Sequence, residues 1–213
     1  MSMFTKLLKL PGGLVLLTIV LVFLANINPF QLHEGPYYEI FAVFGAMVWM
    51  LMVSLIVIWF VFKEKIEDYG WILPKNKSKA VLLTFLSITI LTPVMVFFGT
   101  QDSFREFYTL QSVSIGNFLL TSVVLSFVYY IAEEFLFRGF LFWGLFHKVG
   151  YHSFWITSSV FALFHITKPL LEIPFAFFAS LLFCYLSFKT KSFVPAFVVH
   201  FTIALILNTL IFI

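Results

Sequence analysis

The sequence predicts an all-α protein, a polytopic bundle of about seven transmembrane helices. Composition is the first observation, because 62% of the 213 residues are hydrophobic and only 11% are charged, against about a quarter in soluble proteins. The mean hydropathy of +1.04 agrees. Apolar segments of about the 20 residues that a bilayer requires are the second observation. The lipid bilayer is therefore the expected surrounding, and the net charge of +3 indicates no nucleic-acid partner.

Seven segments have the length and composition of membrane spans. They are residues 10–28, 37–62, 80–98, 118–146, 153–167, 170–188 and 193–213. The polar stretches 63–79 and 99–116 are loop-sized, and the chain shows no internal repeat or soluble domain. We divide it into an N-terminal three-span region, residues 1–116, and a core that holds the unusual motifs, residues 117–213.

The distribution of lysine predicts the orientation. Alternate connections carry most of the basic residues, namely Lys6, Lys9, Lys63, Lys65, Lys75, Lys77, Lys79, Lys148, Lys189 and Lys191. The other connections offer only Arg105 and Lys168. By the positive-inside rule the N-terminus is cytoplasmic. The first span lacks a small-x-small cleavage site and is predicted to be an uncleaved anchor. The protein is predicted to be a multi-pass integral membrane protein, in the inner, plasma membrane if it is bacterial.

The fourth span carries three ionisable residues, Glu133, Glu134 and Arg138. A charge at membrane depth costs roughly 2.5–3.5 kcal/mol on insertion scales, so such groups usually face a cavity and serve a function. Glu134 and Arg138 are i,i+4 partners in the favourable order for an ion pair. Glu133 lies about 100° round the helix and lacks an obvious local partner. The alternative is a buried structural ion pair beside one protonated glutamate.

Two later spans each carry a histidine at similar depth. His165 lies about twelve residues into the fifth span and His200 about seven into the seventh, roughly 18 and 10 Å from the cytoplasmic ends. Glu133 lies near the middle of its own span. We expect these three side chains to meet in one polar cavity that opens towards the cytoplasm. A lone intramembrane histidine can equally be a hydrogen-bonded packing residue.

The order and spacing of these residues carry a family resemblance. The pattern is Glu133-Glu134-x-x-x-Arg138, then Phe161-x-x-x-His165, then His200. It resembles the CPBP family of intramembrane proteases, which comprises CAAX prenyl proteases and bacteriocin-processing enzymes and is also called the Abi family. The resemblance covers about residues 117–208 and places the catalytic core in the last four spans.

The resemblance implies a role for each residue. Glu133 would be the base that activates water, His165 its close partner, and His200 a group that binds the oxyanion. Glu134 and Arg138 would support the site, together with Phe161 of the second motif.

The chain departs from the family pattern at one position. The family usually places asparagine or another polar residue four positions after the last histidine, and here that residue is Ala204. Asn208 lies one turn further along and about 80° round the helix.

These observations predict an intramembrane endopeptidase that hydrolyses a peptide bond in a membrane-anchored or lipidated substrate. A glutamate-activated water is one mechanism, and it needs no cofactor. The other is a zinc site, because one glutamate and two histidines can form a zinc triad with an open water position. The absence of a His-Glu-x-x-His helix and the presence of the motif arginine favour the metal-free site.

Two functions from other classes remain open. Intramembrane Glu and His residues also suit a proton-coupled transporter, although the lack of an inverted repeat is unfavourable. Ala204 is compatible with a non-catalytic relative that acts as a membrane binding or immunity protein.

Overall fold

The computed structural model describes residues 3–27, 36–109 and 114–213, and in these ranges the chain consists of helices and turns. The helices are α1 (Met3–Leu8), α2 (Pro11–Ala25), α3 (36–62), α4 (Lys77–Gly99), α5 (Asp102–Thr109), α6 (Ile115–Val149), α7 (His152–Leu163), α8 (Glu172–Thr190) and α9 (Val194–Phe212). A short 3₁₀ turn, Ile66–Tyr69, follows α3. The all-α prediction is confirmed.

Five of the predicted spans are helices long and apolar enough to cross a membrane: the Ile40–Phe62 part of α3, and α4, α6, α8 and α9. The first and fifth predicted spans are the shorter helices α2, of 15 residues, and α7, of 12 residues. Large apolar side chains such as Trp59, Phe85 and Ile90 are exposed on the long helices, as expected for surfaces that face lipid. The chain is an integral membrane helix bundle.

The predicted C-terminal boundary of the fifth span is wrong. Helix α7 ends at Leu163, and the N–H groups of Phe164, His165 and Ile166 donate to carbonyls only three residues back. Lys168 precedes Pro169, whose ring disfavours helical geometry at the residue before it. The helix ends before this residue is reached, and His165 lies in the turn that follows.

Helix α6 passes through the centre of the bundle. Residues 132–145 of this helix are all buried, enclosed by α2, α3, α7, α8 and α9. Its segment Phe135–Leu141 has wider, π-type turns, a distortion that is frequent at functional sites. Residues from the N-terminal region, such as Leu14 and Met50, pack in the same apolar cluster as Phe140 of this helix.

The two ends of the bundle are identified by contacts between connections. At one end Lys9 forms an ion pair with Glu64, and the Phe193 N–H donates to the Gly70 carbonyl (3.2 Å). We call this end, where residues 63–76 and 191–193 lie, the lysine-rich end. At the other end α5 contacts the turn of residues 164–171 through Tyr108, and we call it the α5 end.

Candidate active site

A buried ion pair lies at the base of the site. Arg138 Nη1 lies 3.1 Å from Glu134 Oε1, and both side chains are 0% exposed. Helical geometry brings residues four apart onto one face, so the sequence spacing alone predicts this contact. The Arg138 guanidinium also lies over the rings of Phe161 (4.2 Å) and Phe183 (5.0 Å). These cation–π contacts help to stabilise a charge that has no access to water.

His200 joins both glutamates across the bundle. Its Nδ1 lies 2.6 Å from Glu134 Oε1 and 3.6 Å from Glu133 Oε2. A carboxylate accepts, so the Nδ1–H of His200 donates to Glu134, and Nε2 is the ring nitrogen left for other partners. The ring packs 4.3 Å from that of Tyr130, which limits its rotation. Glu134 therefore neutralises Arg138 and also orients His200, a second contact that the sequence did not predict.

The two glutamates differ in their access to the cavity beside them. Glu133 lines that cavity, whereas Glu134 lies behind it and is 0% exposed. Glu133 Oε2 is buried without a hydrogen-bond partner among the described residues. Glu133 therefore has a carboxylate that can still bind a proton or a water.

His165 lines the same cavity from the turn after α7. Its Nδ1–H donates to the Phe161 carbonyl, at 3.0 Å, so the neutral ring presents Nε2 as an acceptor. The Phe161 ring lies 4.7 Å from the ring of His165 and 5.9 Å from that of His200, measured between centroids. Phe161 thus packs against both histidines and Arg138, and it holds their relative positions.

Glu133, His165 and His200 all line one cavity of about 600 Å³, within the size range of small-molecule sites. The expectation that these side chains share one cavity is met. The wall extends to residues 163–168, to Tyr108 and to the C-terminal half of α9, all of which lie towards the α5 end. The cavity therefore lies towards the α5 end, whereas the sequence predicted an opening at the end that carries most of the lysines.

Three polar side chains at the α5 end of the cavity were not predicted from the sequence. The Tyr108 hydroxyl donates to Glu172 (2.8 and 2.9 Å to the two oxygens) and accepts from Lys168 Nζ (3.0 Å). Burial, and then the charge of Glu172, raise the pKa of Tyr108 well above its usual value, so the phenol stays neutral and keeps its proton to donate. The i,i+4 spacing of Lys168 and Glu172 was the one available signal.

Glu172 also lies near His165, with 3.9 Å between its Oε1 and His165 Nε2. The cavity therefore holds a second carboxylate beside the second histidine.

One group of described residues could hold a metal ion. Glu133, Glu134 and His200 each offer a ligand atom, and these atoms lie within 4.8 Å of one another. The group differs from the zinc triad considered from the sequence, because it contains Glu134 in place of His165. Its Glu134 oxygen already bonds Arg138 and His200.

A comparison with known protein families found a match to the C-terminal part of the chain. The family model of Type II CAAX prenyl endopeptidase Rce1-like proteins matches residues 115–206. This region holds Glu133, Glu134, His165 and His200, which we call the Glu–His cluster. No curated protein and no solved structure matches the chain. The resemblance inferred from the motifs is confirmed: residues 115–206, which include Glu133, His165 and His200, match the model of the Rce1-like type II CAAX prenyl endopeptidase family.

Proposed function

We propose that this protein is an endopeptidase that cleaves a membrane-anchored polypeptide with a water activated by Glu133. The proposal rests on the different access of the two adjacent glutamates to the cavity. Glu133 lines the cavity beside His165 and His200, whereas Glu134 is fully buried and paired with Arg138. One carboxylate is thus available for proton transfer, and the other holds the site together.

The proposed reaction begins with a water between Glu133 and the substrate carbonyl. Glu133 accepts a proton from this water as the oxygen attacks the carbonyl carbon, which forms a tetrahedral intermediate. Glu133 then returns the proton to the leaving amine, and the C–N bond breaks. The neutral His165 ring offers Nε2 as an acceptor that can orient the water, since its Nδ1–H is bound to Phe161.

His200 is proposed to stabilise the oxyanion. With Nδ1–H bound to Glu134, the ring donates from Nε2 only as an imidazolium, which carries N–H groups on both nitrogens. Loss of one oxyanion donor in known enzymes costs about a hundred-fold to a thousand-fold in rate. Glu134 and Arg138 support this role by holding the ring in place.

The donor set of the site favours the metal-free mechanism. Glu134 Oε1, one of the three possible ligand atoms, lies 3.1 Å from Arg138 Nη1, and the charge of this guanidinium opposes a nearby dication.

We therefore expect strong chelators to leave peptide cleavage unchanged and metal analysis to find well under one zinc per chain. Activity measured before and after chelation, with zinc added back, tests this. Loss of activity on chelation and its return with zinc would establish the metal mechanism instead.

Ala204 gives a second prediction. Its side chain lines the cavity one turn from His200 on the same face of α9. Ala204→Asn places an amide donor there, and we expect kcat to rise, by up to about the hundred-fold to thousand-fold value of one oxyanion donor, with little change in substrate binding. Ala204→Leu is the matched control, since it adds similar volume without a donor. An equal rate for both variants would mean that another group already binds the oxyanion.

The proposed function is tested with purified protein and a peptide anchored in a detergent micelle or vesicle. Cleavage by the unaltered chain and none by Glu133→Ala would support it. Binding of the peptide without cleavage by either would favour the non-catalytic alternative, for which Ala204 is the favourable feature. Proton uptake driven across vesicles, without cleavage, would favour the transporter.

We further propose that the N-terminus is cytoplasmic. The lysines of α1, of residues 63–79 and of residues 189–191 lie at one end of the bundle, and the α5 end has only Arg105 and Lys168. The number of lysines near the membrane supports this orientation.

A further inference from the structure

We propose that the cavity is reached from the extracytoplasmic side of the membrane. Its substrate is then a membrane-anchored polypeptide whose cleaved segment lies on that side, and not a cytoplasmic lipidated tail. The nature of the substrate rests on the proposed peptidase function. The side of access rests on the positions of residues and charges alone.

The cavity wall lies in one part of each helix. Helices α2 and α4 contribute residues from their last two turns, such as Phe23 and Phe98. Helix α9 contributes no wall residue before His200 and continues to Asn208. These helix ends are at the α5 end of the bundle, so the wall extends from the Glu–His cluster in that direction.

The bundle is closed between the Glu–His cluster and the lysine-rich end. Beyond Phe137, no described residue of α6 lines the cavity, and the side chains at 138–142 are at most 1% exposed. On the side of Arg138 that faces the lysine-rich end, the Ser187 hydroxyl donates to the Arg138 carbonyl (3.1 Å) and accepts from Trp143 Nε1 (3.1 Å). These polar groups bind each other inside the core, so they do not form a channel to the lysine-rich end.

The two ends of the bundle differ in charge. The lysine-rich end holds every lysine and arginine of the chain except Arg138, Arg105 and Lys168. At the α5 end, the basic residues Arg105 and Lys168 lie beside the acidic residues Asp102, Glu106 and Glu172. The positive-inside rule places the lysine-rich end in the cytoplasm, so the open end of the cavity lies on the opposite side.

The proposal is tested by thiol labelling, which does not depend on catalysis. The only cysteine, Cys184, is fully buried, and Cys184→Ala provides a background without thiols. Single cysteines are then placed at Asn208 in the cavity wall, at the exposed Ser103 on α5, and at the exposed Lys75 of the lysine-rich end. A charged, membrane-impermeant maleimide is added to intact cells and, separately, to inside-out vesicles.

We expect Ser103→Cys and Asn208→Cys to react in intact cells and Lys75→Cys to react only in inside-out vesicles. The native chain, with its buried thiol, is the unlabelled control. If Asn208→Cys does not fold, Ser126→Cys replaces it, because Ser126 lines the same cavity from α6.

Three results would overturn the proposal. One is labelling of the cavity cysteine only from the same side as Lys75→Cys. Another is labelling of Lys75→Cys in intact cells, which would invert the orientation. The third is a cavity cysteine that reacts from neither side. A protein that labels as expected yet cleaves no peptide would refute the proposed function and leave the side of access established.

Discussion

Replacing Glu133 by glutamine is expected to abolish peptide cleavage and to leave the fold and thermal stability close to those of the unaltered protein. The amide cannot accept the proton of the attacking water. Loss of a general base typically costs a hundred-fold to about ten-thousand-fold in rate, and here the same carboxyl is also the proposed proton donor to the leaving amine. We expect the loss to be at the upper end of this range.

The stability expected of Glu133→Gln follows from the contacts of the carboxylate. Glu133 is 9% exposed, and its Oε2 has no hydrogen-bond partner among the described residues. A neutral amide is less costly to bury than a carboxylate. The variant removes no hydrogen bond of Oε2 and only the longer 3.6 Å contact with His200, so its unfolding temperature should stay close to that of the unaltered chain.

The measurement is cleavage of an anchored peptide beside thermal unfolding in the same detergent. Glu106→Gln is the matched control, since it makes the same chemical change at an exposed position of α5 and should change neither quantity. Cleavage by Glu133→Gln at the unaltered rate would remove Glu133 from the mechanism. Loss of folding together with cleavage would show a structural role instead.

Replacing Arg138 by alanine is expected to destabilise the protein by about 3–5 kcal/mol, the cost of breaking a buried ion pair. The substitution leaves Glu134 charged and fully buried, and it empties the space between the rings of Phe161 and Phe183. Glu134→Gln should also destabilise, because it leaves the guanidinium unpaired. It also replaces the charged acceptor of the His200 Nδ1–H.

A double variant separates the charge effect from the packing effect. Arg138→Met keeps much of the volume of the arginine side chain and removes its charge, so alone it leaves Glu134 without its arginine partner and with only the contact to His200. Combined with Glu134→Gln it leaves no buried charge in the pair, and we expect much of the lost stability to return. Denaturant or thermal unfolding of the two single variants and the double variant measures the coupling. A double variant as unstable as the sum of the single ones would mean that the pair contributes through packing alone.

The two sets of variants together test the division of roles between adjacent glutamates. We expect Glu133→Gln to lose activity with stability retained, and Glu134→Gln to lose both. An equal loss of folding in the two variants would refute this division.

The features that depend on local sequence were predicted well. The long apolar helices follow from composition and length, because a bilayer admits few other backbone arrangements. The Glu134–Arg138 ion pair follows from helical periodicity, since i,i+4 neighbours on one helix are adjacent in any fold. The family resemblance rests on the same kind of local pattern, with the order of the motifs along the chain.

The features that depend on how helices rotate and pack were not predicted. His200 is 66 positions from Glu134 along the chain, and only the rotation of α9 against α6 decides which glutamate its Nδ1 contacts. Tyr108 meets Lys168 and Glu172 because α5 packs under the turn after α7, a contact between two connections with no shared sequence pattern. Depth along each span predicted that Glu133, His165 and His200 would meet, although α7 proved shorter than expected.

The sequence by itself determined the helical membrane fold and its lysine-rich end, and it predicted the candidate residues of the site, because hydropathy, charge and helical spacing are properties of neighbouring residues. Only the tertiary structure decided that Glu133 faces the cavity while Glu134 is enclosed. It also decided that the cavity wall extends towards the α5 end. Both depend on which faces of α6, α7 and α9 pack together, and that choice is made by the shapes of side chains distant in sequence.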